Sequence, residues 1–327
     1  QARFIGTPVF LDQNGRIWQI PDKLVIQNTT KDIDLRLEKD AVQLKYEDLS
    51  QKFDVVFSAL LGKFGEDGCI QGVLELTGVP YTGSGILSSA LAMDKKVMRE
   101  ILIAHGFLVP KATLIFKNDW LIDQAKIISQ INAEIGYPNV VKPTREGSSV
   151  GVYVAHKTDE IAKVIGQAFN FDNEVLVEEF INGREFMCVV FGNSNPQAML
   201  PTEVEFEGEI HTYESKYMPG KSQYFTPIRV DDDIIKQIQK QAVEIYEKIG
   251  LKGYGRVDGF VKNEKVYIGE VHTGTIMIPS SYVFHEVSRT KIELKGKSSS
   301  IPMTPRLWVT KIIEMAVEAH REKKGML

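Results

Sequence analysis

Two strand-like runs, Gly255–Val261 and Lys265–Val271, are separated by residues 262–264 alone, so they meet as a hairpin and commit this part of the chain to antiparallel sheet. The pairing also groups chemistry. Side chains at i and i+2 of a strand share a face, which sets Glu270 beside His272 and Arg256 beside Asp258. Asp258 and Glu270 lie on adjacent strands and can face each other across the ladder. Opposed carboxylates repel unless a cation or a proton sits between them. Oxygen ligands of this kind suit Mg²⁺, which also takes nucleotide phosphates as ligands. Arg256 could bind a developing negative charge. The same spacing also fits an ordinary pair of polar strands facing water.

The bulk numbers are those of a globular chain. It has 327 residues, 43% hydrophobic and 25% charged, with material for two or three domains. A net charge of −4 gives no global basic field for nucleic acid or an anionic membrane. No apolar run approaches the roughly 20 residues a membrane helix needs, and no signal-peptide pattern opens the chain. Cys69 and Cys188 lack metal-type spacing and read as reduced core residues of a cytoplasmic protein. The chain opens QARFIGTPVFLDQNGRIWQI, without Met and directly in a strand-like run, and so reads as entered partway through a domain.

Along the chain, Phe4–Leu11 and Ile17–Ile20 are predicted strands around an Asn-Gly turn. Phe53–Ala59, a Gly-bearing loop and a helix over 67–77 form a predicted βα unit. Ser88–His105 and Trp120–Ile135 each read as one helix. Strands over 139–142 and 150–155 flank the loop TREGSS, and a helix follows at 159–168. Strands over 174–180, 185–191 and 198–205 precede a Gly/Pro/Tyr-rich loop at 211–227. Helices over 231–249 and 305–323 bracket the hairpin. The pattern is α/β in its first third and antiparallel α+β thereafter.

Two further stretches carry chemistry. In VVKPTREGSSVG, Lys142 ends an apolar strand, and the following loop offers backbone N–H groups with the Ser148 and Ser149 hydroxyls. Such a point charge and nest suit a polyphosphate. An exposed hairpin turn is the plainer reading, and no G-x-x-x-x-G-K-[ST] loop is present. In VLVEEFINGRE, a strand runs into Glu178 and Glu179, which suits an adenine edge and a ribose diol or simply ends at the surface.

Taken in order, LLGKFGEDGCIQGVLELTGVPYTGSGILSSALAMDK, VVKPTREGSSVG, VLVEEFINGREF, YESKYMPGKSQYFTP and GRVDGF…GEVHT closely resemble the D-alanine–D-alanine ligase family of ATP-grasp enzymes, over nearly the whole chain. The resemblance implies an ATP-grasp fold. A pre-ATP-grasp α/β domain (1–93), lacking its first βα unit, precedes central (94–185) and C-terminal (186–327) α+β domains. It implies ATP and Mg²⁺ or Mn²⁺ as cofactors. The activity implied is ligation of two D-alanines through an acylphosphate, for peptidoglycan precursors, in the cytoplasm and possibly as a homodimer. Carried over residue by residue, Lys95, Lys142, Ser149 and Lys216 would contact ATP phosphates. Glu178, Phe180 and Ile181 would hold adenine, and Glu185 the ribose. Arg256, Ser148 and Tyr217 would serve catalysis, with Tyr217 in a mobile loop. Ser281 would bind the acceptor carboxylate. Asp258 and Glu270, with His272, would hold the metal.

This sequence also departs from the family. Leu61 stands where the family has a substrate-site histidine. His272 stands where an asparagine oxygen would ligate Mg²⁺, and imidazole suits softer metals. Ile276 replaces a glycine whose backbone approaches the oxyanion. The departures leave open a ligase for another amino or hydroxy acid, or a non-catalytic ATP-binding relative.

Overall fold

The hairpin forms as Tyr254–Lys262 paired antiparallel with Lys265–His272. Its two-residue turn has Asn263 and Glu264 at φ 50° and 60°, the left-handed pair that matches strand twist. The register shifts between Asp258 and Gly259, a bulge. A Cβ on Gly259 would stand 2.1 Å from the Tyr267 carbonyl and 2.8 Å from the Phe186 ring, so only glycine fits there.

The structure is a computed structural model that describes residues 4–27, 29–210, 221–275, 277, 281–293 and 300–325. It divides into two units, residues 1–56 with 73–80, and residues 57–72 with 81–327. In the first, Val9–Leu11, Ile17–Gln19 and Val42–Leu44 form an antiparallel three-stranded sheet. Trp18, Ile20, Leu24, Ile33 and Leu37 make its core. The expected strand at Phe53–Ala59 does not form. That run is tied by Val56, whose N–H donates to the Pro80 carbonyl at 2.8 Å, and no neighbouring strand continues a ladder beside it.

The second unit holds two large sheets, besides a two-stranded pairing of Lys291–Glu293 with Ser300–Pro302. One has strands in the order Ala112–Phe116, Glu174–Glu179, Asn139–Pro143, Tyr153–Ala155, all antiparallel. Its core takes Ile131 from the helix Gln124–Glu134 and Ile161, Val164 and Ile165 from Thr158–Ala168. The other runs Ser222–Phe225, Thr202–Phe206, Arg184–Phe191, Tyr254–Lys262, Lys265–His272. Alternation along Arg184–Phe191 builds both of its faces. Phe186, Cys188 and Val190 pack with Ile235, Ile238 and Ile245 of the helix Asp232–Lys248, whereas Cys69, also expected in a core, is exposed at the start of the helix Cys69–Thr77. Met187, Val189 and Phe191 pack with Val283 and Val287 of Tyr282–Arg289 and Trp308 and Ile312 of Pro305–Lys324.

Two helices expected as single segments are each broken at an aspartate. Asp94 separates Ile86–Met93 from Lys95–Ala104 and accepts the Val97 N–H at 3.0 Å. Asp123 separates Lys117–Ile122 from Gln124–Glu134 and accepts the Lys126 N–H at 2.9 Å. In both, a carboxylate that satisfies orphan donors outcompetes continued helix. The Asp94 break puts Lys95 at the first helical position. Among the described residues, no helix is long and apolar enough to cross a membrane.

Candidate active site

The register of the hairpin places Arg256 opposite His272 and Asp258 opposite Glu270. Four polar side chains therefore rise on one face from two rungs separated by Val257–Val271, the face that also carries Met187 and Val189. Arg256 donates to Asp258 through two nitrogens, both at 2.6 Å, a bidentate pair. Its remaining terminal nitrogen donates to the Tyr282 hydroxyl. His272 Nε2 stands 3.2 Å from Asp258 Oδ2 and 3.4 Å from Glu270 Oε2. These are ion-pair distances, and neither contact is a hydrogen bond by geometry.

Two lysines close on the same carboxylates from the other sheet and its leading helix. Lys142, at the end of Asn139–Pro143, lies 2.8 Å from Glu178 and 3.5 Å from Glu270. Lys95 lies 4.0 Å from Glu270, and its ammonium donates to the Glu146 carbonyl. Electrostatics follow from this packing. Burial pushes the Glu270 carboxyl up, but Lys95 and Lys142 prevail and hold it well below the usual carboxylate value. Asp258 is likewise held low against burial, by Arg256 and then His272. Burial opposes charge on Lys142, yet Glu178 and Glu270 raise its pKa. Burial and Arg256 work against a charged His272, and the Asp258 and Glu270 carboxylates outweigh them, so its pKa is raised from 6.5.

These groups stand where two cavities meet. The larger, about 550 Å³, is lined by Lys95, Lys142, Ser148, Ser149, Glu178, Phe180, Ile181, Glu185, Asp258 and Glu270. Its volume is that of a nucleotide-sized pocket. The smaller, about 100 Å³, is lined by Leu61, Glu66, Lys95, Ser148, Arg256, Glu270, His272, Thr275 and Tyr282. It is sized for one small ligand. Lys95, Ser148 and Glu270 border both.

The loop between the strands at 139–143 and 153–155 is strained where the cavities join. Ser148 and Ser149 have φ of 51° and 61°, a left-handed pair rare outside glycine. Successive N–H groups in such conformations make an anion-binding concavity. Nearby, Thr144 and Arg145 are anchored to Asp172 at 2.8 and 3.1 Å, which fixes the loop's entry.

Not every expected residue reaches the cleft with a free group. Ser281 is buried and caps the helix Tyr282–Arg289, its hydroxyl accepting the Val283 N–H at 3.3 Å. Lys216, Tyr217 and Ile276 lie outside the described residues. Conversely, Glu66 and Tyr282 went unassigned. Glu66 accepts the Gly62 N–H at 2.6 Å and the Gly274 N–H at 3.1 Å, tying the loop after residue 59 to the one that follows the hairpin. Its place in GKFGEDG was the available signal. Tyr282 begins a helix that lies outside any apolar period clear in the sequence.

The donor set can be tested for a hard divalent cation. Asp258 and Glu270 are opposed, ionised oxygen donors beside a phosphate-sized nest, a pair that suits Mg²⁺ completed by substrate phosphates. Among the described residues no three His, Cys, Asp or Glu side chains already form a metal-holding group.

Comparison with known proteins converges on one family. Residues 1–84 match the family described as D-ala D-ala ligase N-terminus, and residues 101–294 match D-ala D-ala ligase C-terminus. The D-alanine--D-alanine ligase of Caldicellulosiruptor bescii is 36% identical over 278 residues, 84% of this chain and 72% of that protein. The solved D-alanine-D-alanine ligase from Coxiella burnetii superposes with a TM-score of 0.78 at 26% identity, covering 97% of this chain and 86% of that one. The VanG D-Ala:D-Ser ligase from Enterococcus faecalis also gives 0.78, at 28% identity, over 95% and 89% of the two chains.

Proposed function

The chain belongs to the D-alanine–D-alanine ligase family, and from that premise we propose how its own residues carry out the ATP-dependent joining of two D-alanines. The observation that carries the reading is the meeting of a nucleotide-sized and an amino-acid-sized cavity over the rungs Arg256–His272 and Asp258–Glu270. We read the two sheets of the larger unit as the central (94–185) and C-terminal (186–327) subdomains that grip ATP.

Adenine lies against Phe180 and Ile181 with Glu178 at its edge, and Glu185 takes the ribose. Lys142, Lys95 and the 148–149 nest hold the phosphates, whose charge replaces that of Glu178 and Glu270 at the lysines. Asp258 and Glu270 would hold Mg²⁺, which when bound would supply charge withdrawal from the transferring phosphoryl group. We assign His272 to the wall beside that carboxylate pair, 3.2 Å from Asp258 and 3.4 Å from Glu270.

In the first step, a carboxylate oxygen of one D-alanine bonds to the γ-phosphorus, the bond to the β-phosphate oxygen breaks, and ADP leaves. The amine of the second D-alanine then attacks the acyl carbon, loses a proton, and phosphate departs with the C–O bonding pair. Arg256 faces the oxyanion of that tetrahedral intermediate, and Lys95 and Ser148 steady the phosphate at the border of the two cavities. Water must be kept from the acylphosphate, a role we assign to the segment carrying Lys216 and Tyr217. Ser281 caps its helix and thereby presents that N-terminus toward the acceptor carboxylate. We place the enzyme in the cytoplasm, acting as a homodimer on small molecules, without nucleic acid or membrane.

The test is incubation with ATP, Mg²⁺ and D-alanine as sole amino acid. We expect one dipeptide per ADP. ATP binding with no turnover, or turnover only on adding another amino or hydroxy acid, overturns the reading. D-serine is the first alternative acceptor to try, because one structural relative is a D-Ala:D-Ser ligase.

A further inference from the structure

The Arg256 guanidinium is held from two sides. Asp258 grips one edge at 2.6 Å, and the Tyr282 hydroxyl accepts from the opposite terminal nitrogen. That hydroxyl also shares a 2.7 Å hydrogen bond with Thr275 Oγ1, and the Tyr282 ring centre lies 5.1 Å from the guanidinium carbon. An arginine with long, flexible methylenes thus has its planar fork fixed at both ends.

The helix that supplies Tyr282 is itself locked to the same rung. One turn on, Glu286 is 0% exposed and accepts the Val189 N–H at 2.9 Å. Val189 is the ladder partner of Arg256. Its N–H reaches Glu286 because the neighbouring strand is interrupted between Gln197–Ala198 and Thr202–Phe206. Residues at i and i+4 share a helix face, so Tyr282 holds the Arg256 side chain while Glu286 holds the backbone across from it.

We propose that Tyr282 is a positioning residue of the ligation reaction, whose hydroxyl fixes the Arg256 guanidinium toward the oxyanion formed in the small cavity. This rests on the reading of Arg256 given above. The hydroxyl is suited to the task because burial pushes its pKa up to about 12, so it remains a neutral group able to accept from Arg256 and donate to Thr275. The aromatic ring and the hydroxyl are separable, since phenylalanine retains the packing with Tyr224 and the hydrophobic cluster around Trp308.

Tyr282→Phe tests the idea. The variant should keep the wild-type melting temperature and KM for ATP. Its kcat should fall about tenfold to a hundredfold, less than loss of a direct oxyanion donor. Affinity for a phosphinate analogue of the tetrahedral intermediate should fall by the same factor, which a merely structural role would not produce. Unchanged kcat and unchanged analogue affinity overturn the proposal, as does a kcat loss matched by no loss of analogue affinity. Should the variant fail to fold, Thr275→Val removes the hydroxyl's second partner, with kcat expected several-fold lower and an unchanged kcat counting against the proposal. A wild-type protein that makes no dipeptide overturns the ligase reading instead, and analogue affinity then still reports on Tyr282.

Discussion

The two ends of the cleft are built differently. At the nucleotide end, Lys142 is 9% exposed and clamped between Glu178 and Glu270, and every described residue expected from the sequence at that end lines the cavity. At the amino-acid end, Leu61, His272 and Tyr282 occupy the walls, and Ser281 spends its hydroxyl on a helix cap. A site for a common ligand is satisfied by charge and backbone donors that tolerate little change. A site that selects among small amino acids is shaped by side chains, and two of the expected departures, Leu61 and His272, line the small cavity. Glu270, which borders both cavities, is where the two ends are coupled.

That coupling can be broken in graded steps. Glu270→Gln removes charge at the junction and should cost about 10³-fold in kcat, measured by coupled ADP release, because charge stabilisation at the reacting phosphoryl group is lost. A loss under tenfold would mean that the two cavities do not share this carboxylate in the reaction. Lys142→Met leaves Glu178 without its cation and Glu270 with Lys95 alone. Denaturant unfolding should show a loss of about 3 kcal/mol, since breaking a buried ion pair from one side strands the other charge. Binding of a non-hydrolysable ATP analogue should weaken alongside, and stability unchanged from wild type would refute this picture of the nucleotide end.

His272→Asn probes the amino-acid end. The Mg²⁺-supported rate should rise about three- to tenfold relative to the Mn²⁺-supported rate, because an amide oxygen suits the harder ion. A ratio equal to the wild type's would remove His272 from the metal's surroundings. The same variant carries a pH signature. His272 has a folded pKa raised above 6.5, so its ion pairing stabilises the fold fully below that value and is lost as pH rises through the folded pKa. The stability gap between wild type and variant should therefore be wider at low pH than at high. A gap that widens toward high pH contradicts the carboxylate pairing. Smallest of all, Leu61→His should lower KM for D-alanine about fivefold, the value of one added hydrogen bond, with KM for ATP unmoved. An equal change in both constants would argue that the two ends are not distinct.

Much of this was legible in the sequence because strand chemistry is periodic. The hairpin's i, i+2 spacing alone placed Arg256, Asp258, Glu270 and His272 on one face, and the ladder register bears that placement out. Family resemblance supplied what spacing could not, expected nucleotide contacts on separate segments, of which Lys95, Lys142, Ser149, Glu178, Phe180, Ile181 and Glu185 line one cavity. The helices were misjudged where a capping aspartate interrupts an apolar period, at Asp94 and Asp123. Phe53–Ala59 misled because an apolar run signals a strand only if a neighbour exists to pair with it. Tyr282 and Glu286 were invisible for another reason: their partners Arg256 and Val189 are distant in sequence, and no local pattern reports a contact of that range.

The central claim is that a phosphoryl group held at the nucleotide end passes to a carboxylate held at the amino-acid end, over Glu270 and Arg256. D-Alanine labelled with ¹⁸O in its carboxylate, supplied with ATP, follows that transfer atom by atom. The expected result is one labelled oxygen in the phosphate released for each dipeptide formed. Dipeptide accompanied by unlabelled phosphate would contradict an acylphosphate, and with it the arrangement of the two cavities as donor and receiver.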